Sequence, residues 1–188
     1  SMENKLLFNS GSWAVGTEGK KAVEQLASVL SQNKDINVLI EGHTDNVPYT
    51  GTTILDNWHK AAAAANFEAY FEILSDESVF IGTDASENWN KLQFQNFAKP
   101  YFDKGKAWRF NAIERTIYFS KDKKVVWFDE LLNTQMKICR GSGVLAMENG
   151  QWKIKHYVLS MTIPNDNVDE VVKIKAPIED ALMESLKK

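Results

Sequence analysis

The chain has 188 residues, of which 44% are hydrophobic and 11% aromatic, a composition too apolar for a disordered protein. Its 22 basic and 25 acidic residues give a net charge of −3, which disfavours nucleic-acid binding through phosphate neutralisation. The single cysteine, Cys139, excludes an intrachain disulfide, and no apolar run approaches the roughly 20 residues that span a bilayer.

The first 55 residues predict a β-α-β unit. Leu6 to Phe8 is a short apolar run that indicates a strand, and Thr17 is a candidate N-cap for a helix. Ile36 to Ile40 is typical of a buried parallel strand, and Gly42 to Gly51 is predicted to be a loop.

A second helix is predicted from an N-cap at Asp56 to about Leu74, followed by a short strand from Val79 to Ile81. Asp84 and Glu87 have the spacing of a capping box, which predicts that a third helix begins there. The side chains that would line its buried face are Phe94, Phe97, Ala98 and Tyr101. A proline at position 100 is expected to break this helix in two.

From Trp108 onward the hydrophobic period changes to two, which indicates four long strands. Their predicted ranges are Trp108 to Ser120, Val125 to Thr134, Met136 to Met147 and Gln151 to Ile163. Hairpin turns are predicted at Lys121 to Lys124 and at Glu148 to Gly150, so successive strands pair antiparallel. Such long strands must coil, and the helices can cover one curved face. Residues 165–188 are predicted to be a polar tail with a short amphipathic helix that docks on the domain.

Residues 56–164 resemble the SnoaL-like branch of the nuclear transport factor 2-like superfamily. The segments that carry the resemblance are Trp58-His59-Lys60-Ala61-Ala62, Phe80-Ile81-Gly82-Thr83-Asp84, Glu87-Asn88-Trp89, Glu114-Arg115, Trp127-Phe128-Asp129-Glu130, Arg140-Gly141-Ser142-Gly143-Val144-Leu145 and Trp152-Lys153-Ile154-Lys155-His156-Tyr157. The resemblance implies an α+β fold of the cystatin-like kind, in which helices cover a cone-shaped, curved antiparallel sheet. It also implies a pocket for a small molecule, a homodimer and a cytoplasmic location.

Residues 1–55 resemble part of an OmpA-like peptidoglycan-binding domain. The resemblance lies in Phe8-Asn9-Ser10-Gly11-Ser12, Thr17-Glu18-Gly19-Lys20 and Glu41-Gly42-His43-Thr44-Asp45-Asn46. It implies that Asp45 holds the ammonium group of diaminopimelate, and it favours a periplasmic location. The arginine that binds the carboxylate in that family has no counterpart after Asp56-Asn57-Trp58. Natural or engineered recombination is the simplest account of the two resemblances.

Polar residues within the long strands are the candidate ligand-binding residues. Strand alternation gives three sets of residues that each share one face, and these faces could line the cone. The sets are Trp127 with Asp129, Arg140 with Ser142 and Val144, and Trp152 with Ile154 and His156. The residues predicted to bind the ligand are Trp127, Asp129, Arg140, His156, Tyr70 and Arg115. The alternative is that some of them form salt bridges on the convex face.

The favoured hypothesis is non-covalent binding of a small molecule of unknown identity. An isomerase or hydrolase in the same pocket is the alternative, with Asp129 or Glu130 as base and His156 or Tyr70 as donor. Peptidoglycan attachment through Asp45 is a third hypothesis. Three dispersed histidines and one cysteine give no metal-ligand spacing, so neither a metal nor a cofactor is predicted. His59 is interpreted as a structural residue on a polar turn of its helix, and Cys139 as a buried small hydrophobe.

Overall fold

The computed structural model describes residues 17–31 and 46–187 and divides the chain into two compact units at Thr53 and Ile54. Its described helices are α1 (Thr17–Ser31), α2 (Asn46–Ala63), α3 (Phe67–Glu72), α4 (Lys91–Asp103) and α5 (Val168–Leu186). The helix predicted after Thr17 is confirmed. The strands predicted at Leu6 to Phe8 and at Ile36 to Ile40, and the residue Asp45, lie outside the described residues.

The second predicted helix differs from the observed structure at both ends. It begins at Asn46 rather than at Asp56, so Asp56 is an interior residue of α2 and the predicted loop is partly helical. A proline in the first turn does not oppose this, because its missing N–H has no partner there. The chain then leaves the helix at Ala65, which has a φ of 52°, and Asn66 caps α3 by accepting a hydrogen bond from the Ala69 amide. Two helices therefore replace the single one that was predicted.

The start of α4 is fixed by a capping box that the sequence analysis assigned to other residues. Asn90 accepts a hydrogen bond from the Gln93 amide, and the Gln93 side chain accepts one from the Asn90 amide. Asp84 instead caps the turn before this helix, where its carboxylate accepts a hydrogen bond from the Ser86 amide. The predicted break at Pro100 is wrong, since Pro100 lies within α4, which continues to Asp103.

The described strands form one curved sheet in the order β2-β1-β6-β5-β4-β3. Their bounds are β1 (Leu74–Ile81), β2 (Asn88–Asn90), β3 (Asn111–Phe119), β4 (Val125–Thr134), β5 (Lys137–Glu148) and β6 (Gln151–Met161). The four long strands pair antiparallel in sequence order as predicted, whereas β1 pairs parallel with β6. At the last hairpin Asn149 and Gly150 have φ values of 49° and 79°, as a type I′ turn requires. The α+β fold predicted from the resemblance is confirmed.

The main core lies on the face of the sheet that α2, α3 and α4 cover, which we call the covered face. Alternation along β4 sends Val126, Phe128, Glu130 and Leu132 to this face. The opposite face, which we call the open face, carries Trp127 and Tyr118, whose rings stack at 5.9 Å and are partly exposed. Both faces of the sheet therefore present large apolar side chains.

The C-terminal helix α5 is longer than the short helix that was predicted, with 19 residues. None of its side chains is buried, and Ile174, Ile178 and Leu186 are 73–75% exposed. The prediction that it docks on the domain is therefore not met in the described part of the chain. Among the described residues, no helix combines the length and hydropathy that a membrane crossing needs.

Candidate functional site

A buried carboxylate, Glu130 on β4, organises the polar centre of the covered face. It is 1% exposed, and its Oε1 lies 2.9 Å from His59 Nε2 and 3.0 Å from the Tyr157 hydroxyl. Its Oε2 lies 2.8 Å from both Nε and Nη2 of Arg115. Nη1 of Arg115 donates in turn to Asp56 at 2.7 Å. Five side chains thus form one connected network.

The network joins one helix to three strands. Asp56 and His59 are three residues apart on α2, so both side chains point to the sheet from one side of the helix. Gly141 on β5 is the cross-strand partner of Glu130, and Tyr157 of β6 reaches Glu130 above it. A Cβ atom at Gly141 would overlap the Tyr157 hydroxyl. The glycine is therefore what allows this tyrosine to bond to Glu130.

Electrostatics keep Glu130 ionised despite its burial. Burial alone would raise the pKa of Glu130, but the hydrogen bond and charge of His59, together with those of Arg115, outweigh it and lower this pKa. Burial likewise opposes the charge on Arg115, yet Glu130 and Asp56 raise its pKa. Burial and the neighbouring carboxylate raise the pKa of Tyr157 well above its ordinary range. The centre is therefore a carboxylate and a guanidinium beside a neutral phenol.

Glu130 is a poor candidate for the catalytic base that the sequence analysis considered. A carboxylate offers about four acceptor positions, and hydrogen bonds with His59, Tyr157 and Nε of Arg115 already engage both oxygens of Glu130. A base must also reach a proton on the substrate. We conclude that this network holds the fold together and orients its members.

Aromatic rings pack between the helices and the sheet, where the resemblance implies a pocket. Trp58 stacks on Tyr70 at 5.1 Å and meets Tyr157 edge-on at 4.8 Å. Phe94 of α4 stacks on Phe80 of β1 at 3.9 Å. All five residues are less than 9% exposed. Burial raises the pKa of Tyr70, against the opposing hydrogen bond with Trp108. Tyr70 is therefore a neutral core residue.

The sheet separates the six residues predicted to bind the ligand. Tyr70 and Arg115 lie on the covered side, Arg115 within the Glu130 network. The residues on the open face are Trp127, Asp129, Arg140 and His156. Asp129 lies 3.9 Å from Arg140, and both side chains are partly exposed. Such a pair fits the alternative in which these residues form salt bridges on the convex face. The alternation along β4 and β5 is as predicted, whereas the predicted common face of Ile154 and His156 is wrong, because a register shift in the β5–β6 pairing places Ile154 on the covered face. The four residues therefore lie on the face that α2, α3 and α4 do not cover.

A groove that the sequence analysis did not identify lies where α4, the loop before β3 and the end of β4 meet. It has a volume of about 720 Å³. Its lining residues include Phe97, Tyr101, Lys106, Trp108, Arg109, Asn111, Asn133 and Gln135. The sequence feature that could have indicated this groove is the segment from Lys104 to Arg109, in which three basic residues and a tryptophan lie between a helix and a strand. Among the described residues, no cluster of His, Cys, Asp or Glu is arranged to hold a metal ion.

Solved structures similar to this chain share its fold at low sequence identity. An NTF2-like protein of unknown function from Pseudomonas putida KT2440 is 11% identical, with a TM-score of 0.56 over 67% of this chain and 94% of that one. A domain of unknown function with a cystatin-like fold from Nostoc punctiforme is also 11% identical, with a TM-score of 0.55 over 78% of this chain and all of that one.

In sequence, the chain is similar to the motility protein B of Bacillus subtilis (strain 168), with 29% identity over 68 residues. Those residues are 36% of this chain and 26% of that protein, so the chain spans about a quarter of the length of this relative. The model of the SnoaL-like domain family matches residues 52–164, which is more than half of the chain. The chain therefore belongs to the SnoaL-like domain family.

Proposed function

We propose that this SnoaL-like domain binds a small, partly apolar molecule without reacting with it, and that the groove beside Trp108 is the site. A volume of about 720 Å³ lies within the range of about 300–1,000 Å³ that is usual for ligand pockets. Phe97, Tyr101 and Trp108 supply an apolar wall, and the amides of Asn133 and Gln135 can fix the orientation of a ligand. The observation that carries the proposal is this combination of rings and polar groups in one concavity.

Binding is favoured over catalysis because the groove offers no evident base. Among the described residues that line it, none is an aspartate, a glutamate or a histidine. The buried carboxylate Glu130 is engaged on both oxygens by its own neighbours, and Asp129 lies on the open face. The isomerase or hydrolase alternative therefore needs a base from outside these residues. Unchanged ligand after long incubation, checked by mass spectrometry, supports binding, and turnover that depends on Asp129 supports the enzyme.

A fragment library screened by thermal shift tests the site, since a ligand raises stability in proportion to ln(1 + [L]/Kd). We expect saturable hits whose affinity falls at least about tenfold in Tyr101→Ala, because this ring is 47% exposed in the groove wall. Leu92→Ala is the matched control, since Leu92 is on the same helix, is 65% exposed and lies outside the groove. The absence of saturable hits, or hits indifferent to Tyr101→Ala, would overturn the proposal.

We also propose that two copies pair through their open faces. Trp127, Tyr118 and Val125 expose apolar surface there, and Asp129 beside Arg140 can pair with the same two residues of a second copy around a two-fold axis. Light scattering at micromolar concentration should give a dimer, and Trp127→Asp should give a monomer. A monomeric parent protein would refute this pairing.

Attachment to peptidoglycan remains a separate proposal for the N-terminal segment, supported by the motif around Asp45. Pull-down of the full chain on purified peptidoglycan, compared with Asp45→Ala, tests it. Equal retention of the two proteins, or no retention of either, argues against the proposal.

A further inference from the structure

The groove carries an excess of positive charge. Lys106 and Arg109 line it together with neutral residues, and no acidic residue is among those that line it in the described structure. This contrasts with the whole chain, in which acidic residues outnumber basic ones by 25 to 22. Within the described part of the chain, neither cation forms a salt bridge. Unneutralised positive charge in a concave surface raises the local concentration of anions.

The apolar wall of the groove is suited to a flat ring. Tyr101 and Phe97 lie one helical turn apart on α4, with their ring centroids 5.5 Å apart. The Trp108 ring is held 5.4–5.8 Å from three buried rings, those of Tyr70, Phe94 and Phe102. A wall that is already fixed loses little conformational entropy when a ligand packs against it. Aromatic ligands gain further from offset or edge-on contact with such rings.

The charged and polar groups lie beside this wall. Arg109 directly follows Trp108 in the chain, and its planar fork matches a carboxylate in a way that a lysine ammonium does not. Asn111 and Asn133 are cross-strand partners on β3 and β4. Their side-chain amides form no hydrogen bond within the described residues, so they can donate to a ligand.

We infer that the groove binds an aromatic carboxylate, with the ring against Trp108 and Tyr101 and the carboxylate at Arg109. This inference rests on the proposed function, because it assigns a chemical class to the ligand of the same groove. An inorganic anion would leave the aromatic wall unused, and a neutral ring would leave both cations unused.

Isothermal titration calorimetry of the full chain with four probes tests this inference. The probes are 2-naphthoate, the neutral 2-naphthamide of the same shape, cyclohexanecarboxylate and inorganic phosphate. We expect 2-naphthoate to bind about tenfold or more tightly than each of the others, because hydrogen bonds to a charged partner are the strong ones. Arg109→Gln should abolish the preference for the acid over the amide. Lys121→Gln, which removes one positive charge from an exposed hairpin turn, should preserve it.

The outcomes separate this inference from the proposed function. Equal binding of 2-naphthoate and 2-naphthamide, with both weakened by Tyr101→Ala, overturns the carboxylate assignment and leaves the groove a ligand site. Preference for phosphate over 2-naphthoate, or an acid preference that survives in Arg109→Gln, also overturns it. Absence of binding by all four probes at millimolar concentration overturns it as well, while the fragment screen decides the proposed function independently.

Discussion

Replacing Glu130 by glutamine removes one buried charge while keeping the size of the side chain. One of its two oxygens becomes an NH2 group, which then faces either His59 and Tyr157 or Arg115. Towards Arg115 this would set donors against donors, and towards His59 and Tyr157 it would require both to accept a hydrogen bond, in a space closed to water. Removing one partner of a buried ion pair costs about 3–5 kcal/mol. Because Asp56 stays at Arg115 and compensates part of its charge, we expect about 3 kcal/mol.

Urea unfolding followed by tryptophan fluorescence measures this loss, and a fall of about 6–12 °C in Tm should accompany it in a chain of this size. Asp76→Asn is the control, since it makes the same change of acid to amide at a carboxylate that pairs with Lys91 but is 99% exposed. Its unfolding midpoint should stay close to that of the parent protein. Equal effects of the two substitutions would show that burial of the Glu130 network does not carry the energy assigned to it.

The pH dependence of the same experiment has a definite sign. Because the folded state lowers the pKa of Glu130 below its ordinary value of 4.5, its stabilising contribution is present above that value. This contribution is lost as the pH falls through the lower, folded pKa. The difference in unfolding free energy between the parent protein and Glu130→Gln should therefore shrink as the pH falls from about 7 to about 3. A constant difference over that range would contradict the ionised state proposed for Glu130.

Three further substitutions or probes test the surroundings of the site. Gly141→Ala should lower the free energy of unfolding by about 1–3 kcal/mol, because its methyl group overpacks against the Tyr157 hydroxyl. Tyr157→Phe should relieve part of this loss, and a double-mutant cycle without coupling would disprove the contact. Gly150→Ala should cost about 1 kcal/mol because its φ is 79°, and an unchanged urea midpoint would argue against this turn. Cys139, which is 0% exposed, should react with a thiol reagent only after unfolding; rapid labelling of the native protein would show that the core opens.

Much of the sheet could be predicted because its signals are local. Alternation and hairpin turns depend on neighbouring residues, and β4 is observed with the predicted bounds. Which face the helices cover was not predictable in the same way. Trp127 and Phe128 are both large aromatic residues on opposite faces of β4, so the pattern does not tell the covered face from the open one.

The polar network escaped prediction because its members are far apart in the sequence. His59 and Glu130 are 71 residues apart and meet only when α2 packs on the sheet. His59 was assigned to a polar turn because Lys60 follows it and Asp56 and Asn57 lie just before it in the sequence, whereas the structure shows it 5% exposed. The interpretation of Cys139 as a buried small hydrophobe is confirmed, since this free cysteine is 0% exposed.

The parallel pairing of β1 with β6 affects the order in which the domain can assemble. β3 to β6 join through short hairpins, so their contacts close small loops, whereas β1 must wait for a strand that begins about 70 residues after it ends. During synthesis from the N-terminus, β1 leaves the ribosome well before β6 exists. The β1–β2 ribbon and α3 therefore remain without their final neighbour until the last strand emerges, and aggregation at this stage is a hazard that the finished fold no longer shows.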